Sequence, residues 1–254
     1  MGHLPPDDEQ RWLLAELGRL VRRCGADAFE HGPIILPVPE AFPDEWTPDL
    51  AGVERVTQRI LGYVGLQGYT LRLRRFAQEQ VLDGVGADGE ARYRHEGAVA
   101  WFAGVEDDVI WFGCAEEQIE AAGERLIGVM AHEVAHAWRT IHGVRVEDRD
   151  TEECLTDLTT VYLGFGIFTV NNTFRFRTFT REKGAQLYSG HSISRAGYLS
   201  PEAMSFLFAA QLVLRELGWW QRRQVLRWLE PNQKGHVKTA IRALKPSSFL
   251  RERM

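Results

Sequence analysis

In the stretch GERLIGVMAHEVAHAWRTIH, residues 123–142, two histidines and a glutamate stand among Leu, Ile, Val, Met, Ala and Trp. Helical positions i and i+4 lie on one face a turn apart, so His132 and His136 present imidazole nitrogens to the same point. Two zinc ligands require that geometry, with metal–nitrogen distances of about 2.0–2.1 Å. Glu133 projects beside such an ion rather than onto it, where its carboxylate accepts a proton from a bound water. The apolar residues Leu126, Ile127, Val129, Met130, Val134, Trp138 and Ile141 cover nearly every direction around the axis and make the helix internal. Polar groups buried there need partners, because leaving them unpaired costs several kcal/mol. A divalent metal satisfies all three at once. Hydrogen bonds to backbone or to one another are the ordinary alternative.

A catalytic zinc takes three protein ligands and keeps one position for water. Seventeen residues past His136, DTEECLTDLTTVYLGFG reads as a second helix with Glu153, Thr156, Asp157 and Thr160 on one stripe. Glu153 reaches back toward the metal there. Asp157, one turn on, holds a histidine through its second nitrogen, a support that metal-bound imidazoles usually have. Glu152 is the nearest substitute ligand, yet points about 100° away from that stripe. A purely structural role for Glu153 is the N3 position of a capping box opened by Asp150. His-Glu-x-x-His followed on a second helix by Glu-x-x-x-Asp resembles the gluzincin class of metallopeptidases. The resemblance spans residues 98–166 and implies Zn2+ held by His132, His136 and Glu153 with Asp157 behind them. It also implies that the strands AVAWFAG and VIWFGC form a sheet edge along which a peptide or protein substrate lies.

A second string competes for the third ligand. HEVAHAWRTIH matches the metzincin pattern His-Glu-x-x-His-x-x-Gly-x-x-His except at the glycine, where this chain has Arg139. That glycine breaks the helix in metzincins so the last histidine turns back to the metal, whereas arginine is a good helix former. A helix that runs through Arg139 turns His142 about 240° away from His136. His142 before Gly143 then has an ordinary place at a helix end.

These residues lead to the expectation of a zinc-dependent hydrolase, in the simplest case a metallopeptidase. Glu133 takes the proton of the attacking water and delivers it to the leaving amine. The oxyanion needs a second electrophile, and His191 in YSGHSISRAGY is the first choice, with Tyr188, Arg195 and Tyr198 beside it. Asn171 and Asn172 serve either substrate backbone or a simple turn. Cys154 adjoins Glu153, but no thiol spacing places it on the metal. The alternatives are a zincin-fold regulatory or binding protein with weak or no turnover, and a purely structural metal or polar core.

The elements that position these groups follow from periodicity. DDEQRWLLAELGRLVRRCG has helical spacing, as does LAGVERVTQRILGYVG, and between them lies a connector with five prolines in 18 residues. YTLRLRRF alternates like a strand with one wet face, and AVAWFAG and VIWFGC read as a hairpin. Helices are expected over residues 116–142 and 151–166 and at SPEAMSFLFAAQLVLREL, WQRRQVLRWL and QKGHVKTAIRAL. Strands first and helices after predict an α+β fold, zincin-like, with a small mixed or antiparallel sheet on the histidine helix and a mainly helical carboxy-terminal half. One domain over 1–254 is expected, with amino-terminal helices and strands (1–97), a metal-binding core (98–166) and a helical remainder (167–254).

The composition agrees with a globular chain that builds its own core. Of 254 residues, 44% are hydrophobic and 26% charged. Cys24, Cys114 and Cys154 are widely separated, which suggests reduced thiols and a cytoplasmic setting. MGHLPPDDEQRW does not look like a secretory signal, and no apolar run reaches the roughly 18 residues of a membrane span. The net charge of −5 is uneven. From Trp219 onward nine Lys or Arg oppose only Glu230 and Glu252, but they are spread among Trp, Leu and Val. That reads as a solvated helical face, and nucleic acid is not an expected partner.

Overall fold

The computed structural model of the chain describes residues 2–76, 80–85, 91–95, 100–115, 119, 125–173 and 199–244. Its elements run in the order α1 (Asp7–Cys24), α2 (Ala26–His31), α3 (Leu50–Tyr63), β1 (Thr70–Phe76), β2 (Gln80–Val85), β3 (Ala91–His95), β4 (Ala100–Glu106) and β5 (Val109–Ala115). Helices follow: α4 (Arg125–Ile141), α5 (Arg149–Tyr162), α6 over 166–173, α7 (Pro201–Leu214), α8 (Trp219–Leu226) and α9 (Pro231–Ala243). Helices and strands are segregated along the chain, three helices before the strands and the rest after them, and the mixture is consistent with the expected α+β class. The contacts divide into two compact units, Asp44–Ala137 and Met1–Pro43 with Trp138–Met254. The amino-terminal helix α1 packs with α5 and α7.

In the unit Asp44–Ala137, Asp49 caps α3 by accepting the Gly52 N–H at 2.8 Å. Gly52 is required there, since a Cβ would meet the Thr47 carbonyl oxygen at 1.9 Å. Arg59 forks onto Asp44, Nε and Nη2 each at 2.9 Å, and holds that carboxyl below its ordinary range. The three-stranded sheet is mixed, in the order β1-β5-β4, with β1 parallel and β4 antiparallel to β5. Alternation puts Ile110, Phe112 and Cys114 of the central strand into the core. Arg74 lies over the Trp111 ring, 4.4 Å from its centroid. Asp107 (φ 45°) and Asp108 (φ 61°) make the tight β4–β5 turn; two left-handed residues give it the twist the strands need. β2 and β3 pair with each other as a separate antiparallel sheet.

The other unit is helical. α7 is buried at every residue but Glu202, and it packs with α9, α1 and α5. Ser200 caps it through the Ala203 N–H at 3.1 Å, and Pro201 opens its first turn. Gln211 donates to the Val161 carbonyl at 2.5 Å. α1 adds Leu13, Leu14, Leu17 and Leu20 to the core, with acids in its first turn and arginines in its last, as the helix dipole favours. The proline-rich connector is fastened where the Ile35 N–H meets the Gly164 carbonyl at 2.9 Å. Gly164 (φ 93°) allows that approach, because a Cβ would lie 2.1 Å from the Pro33 oxygen. Among the described residues, no helix is long and apolar enough to cross a membrane.

Candidate metal centre

α4 forms because its sequence holds no proline and its one glycine, Gly128, is outweighed by apolar residues that are welcome inside: Met130, Ala131, Val134, Ala135 and Ala137 are buried. Its polar residues follow the i, i+4 spacing. The His132 and His136 rings stand edge to face with centroids 4.8 Å apart. Phe102 of β4 lies parallel to the His136 ring at 6.4 Å and tilts against Phe112 at 5.9 Å. The same residue serves Glu133, since its backbone N–H donates to Oε2 at 2.6 Å. Among the described residues β4 is an outer strand of the sheet, so an N–H on its outer side is available to a side chain. His132 and Glu133 are both buried, and their polar atoms therefore require the partners that α4 and β4 supply.

α5 starts two residues earlier relative to its glutamates than the capping-box expectation. Asp148, rather than Asp150, is its N-cap, accepting the Thr151 N–H at 2.9 Å. Thr151 then occupies N3, and Glu153 lies beyond the capping positions. Glu152 is buried and bound by Arg139, Nε to Oε1 at 3.0 Å and Nη2 to Oε2 at 2.9 Å. It also accepts the Val146 N–H at 2.9 Å, so the nearest substitute ligand is already engaged. Glu153, one residue on, turns elsewhere. One ligand atom from each of His132, His136 and Glu153 lies within 4.8 Å of the others.

That spacing suits a small cation. Three atoms no farther apart lie within roughly 2.8 Å of a common centre, so each moves by less than about 1 Å to reach zinc-ligand distance. Two imidazoles and a carboxylate are also a donor set that zinc favours. The third-ligand alternative fares differently. α4 runs through Arg139 to Ile141. His142 is exposed, with Nδ1 2.8 Å from the Trp138 carbonyl and its ring stacked on Trp138 at 3.9 Å. Among the described residues, the group that could hold a metal ion contains Glu153 and not His142.

The remaining expected residues are placed as follows. Asp157 is buried, and its Oδ2 accepts the Leu199 N–H at 2.9 Å. Asn171 and Asn172 sit in α6, not in a turn; the Asn171 amide spans Trp228 and Glu230, donating to the first at 3.0 Å and accepting from the second at 3.0 Å. The Cys154 thiol is pushed up to about 11 by burial and then by neighbouring carboxylates, Asp157 first among them. His191, Tyr188, Arg195 and Tyr198 lie outside the described residues. Sequence reasoning missed Phe102 and the active role of Arg139. The first acts through a backbone N–H, which side-chain chemistry does not signal; a charged residue in an apolar helix was the available signal for the second. Compared with known proteins, the chain matches no family model, no curated protein and no solved structure.

Proposed function

We propose that the chain is a zinc-dependent hydrolase of zincin type, in the simplest case a metallopeptidase of the gluzincin pattern. The observation that carries this reading is the convergence of His132, His136 and Glu153 within 4.8 Å, beside a buried glutamate in the sequence His-Glu-x-x-His. A zinc ion held there supplies Lewis acidity and brings the acidity of a water near neutrality. Glu133 would act as the general base and acid, taking a proton from the attacking water and giving it to the leaving nitrogen, with the Phe102 N–H fixing one of its oxygens. The outer strand β4 beside Glu133 supports an extended peptide as substrate, because such a strand offers ladder groups to a chain laid along it.

A binding or regulatory protein with little turnover is the second reading, and one contact favours it. The Glu133 carboxylate already accepts a hydrogen bond from the chain's own backbone at 2.6 Å, as a structural glutamate would. Metal analysis of the purified protein and peptide hydrolysis by Glu133→Gln separate the cases. One zinc per chain, with hydrolysis lost in a variant that still binds it, supports the hydrolase. Absence of stoichiometric zinc defeats the metal reading. Wild-type zinc binding without hydrolysis of any peptide tested leaves the binding protein.

A further inference from the structure

Arg139 occupies the stripe of α4 that carries the histidines. At about 100° per residue, positions 132, 136 and 139 fall within roughly 60° of one another, so Arg139 continues the line of His132 and His136 by a turn. Its side chain is 3% exposed and that of Glu152 is 4%. Besides the fork onto Glu152, Nη2 donates to the Val144 carbonyl at 2.8 Å, and Nη1 donates to Thr159 Oγ1 at 3.2 Å and to the Leu155 carbonyl at 3.5 Å. Every guanidinium N–H is thus used. The partners belong to the link after α4 and to three successive turns of α5.

We propose that Arg139 is a positioning residue for the metal centre: by gripping Glu152 it sets the rotation of α5 about its axis, and with it the direction of Glu153. The inference rests on the reading that His132, His136 and Glu153 hold zinc. Adjacent glutamates on a helix diverge by about 100°, so one of them faces Arg139 and the other is turned away. The planar fork makes the choice definite, because bidentate pairing and the extra bonds to Thr159, Leu155 and Val144 fix orientation as well as distance. Glu152 is the better partner because the Val146 N–H meets its Oε2 as well. The pair therefore selects which carboxylate is presented to the histidines. A buried ion pair gives little net stability over an apolar pair of similar volume, but it specifies geometry. This is the property by which the proposal is tested.

The experiment replaces both partners at once, Arg139→Met with Glu152→Met, in the full chain, and measures zinc affinity by chelator competition together with melting of the metal-free protein. The expected result is melting close to wild type and zinc binding weaker by about 10- to 100-fold, the loss typical when the groups supporting metal ligands are removed. Arg145→Ala, which removes an exposed neighbour 3.5 Å from Glu152, leaves affinity unchanged. Cobalt-loaded protein adds a signature: loss of the Glu153 oxygen alters the visible absorption bands of the double variant and not those of Arg145→Ala. A folded double variant with wild-type zinc affinity overturns the proposal. If the double variant does not fold, Arg139→Lys takes its place, keeping the charge but not the fork; unchanged affinity in that variant overturns the proposal equally. A wild-type chain that binds no zinc defeats the metal reading itself, an outcome distinct from wild-type binding that the double variant preserves.

Discussion

α4 and α7 are both internal helices, and both carry polar residues among apolar ones, yet of the two only α4 carries residues of a group that could hold a metal ion. In α7, Ser205 and Gln211 are fully buried and uncharged. Gln211 fastens the helix to the end of α5 through the Val161 carbonyl, which also accepts the Gly164 N–H at 3.0 Å. In α4, His132, Glu133 and Arg139 are buried; Phe102 bonds Glu133, Glu152 bonds Arg139, and a Glu153 oxygen lies within 4.8 Å of the histidine nitrogens. The difference teaches that burial of polar side chains is an ordinary feature of a core. Convergence of ionisable ones from separate elements upon one point is what indicates a site.

The largest expected effect tests α4. Glu133→Gln lowers peptide hydrolysis by on the order of 10²- to 10⁴-fold, the usual worth of a general base, while zinc content measured by elemental analysis stays at the wild-type level. An active Glu133→Gln would place Glu133 with the structural polar residues of α7 and erase the contrast. The corresponding test of α7 is Phe208→Ala, which deletes a fully buried ring and destabilises the chain by about 3–5 kcal/mol in denaturant titration. Zinc affinity of the still-folded fraction is unaltered. A smaller loss comes from Gly166→Ala, because the added methyl would lie 2.4 Å from the Phe208 ring. Overpacking of that kind costs about 1–3 kcal/mol, and a neutral outcome would mean that the ring has room to move.

The contrast was only partly legible in the chain. The 3.6-residue pattern identifies α4, α5 and α7, and the aromatic runs joined by VEDD identify the β4–β5 hairpin, because those signals are local. Parallel pairing of β1 with β5 joins segments far apart in sequence, and no local pattern specifies its register. His132, His136 and Glu133 follow from spacing. Glu153 follows from a stripe, but its release from a capping role depends on Asp148 rather than Asp150 opening the helix, a two-residue detail that propensity does not decide. Arg139 reads in the sequence as a residue that merely prolongs a helix. Its grip on Glu152 appears only when α5 is folded beside it, since a guanidinium's partners depend on tertiary placement.

The smallest effect is the most discriminating, because it asks whether α7 is inert toward the site. Ser200→Ala removes the cap hydroxyl that accepts the Ala203 N–H and costs about 1 kcal/mol, or about 2–4 °C of melting temperature for a chain of this size. If zinc is held by α4 and α5, the ion adds an increment of about 2.7 kcal/mol at a hundredfold excess over its dissociation constant. Ser200→Ala then lowers the melting temperature equally with and without zinc, whereas His132→Ala abolishes the increment. Leu199 gives the comparison its edge: it precedes the cap, and its N–H is bound by the Asp157 carboxylate on the helix that carries Glu153. A zinc increment that shrinks in Ser200→Ala would show that the start of α7 acts on the site through Leu199 and Asp157, and the two helices would no longer stand as contrasting cases.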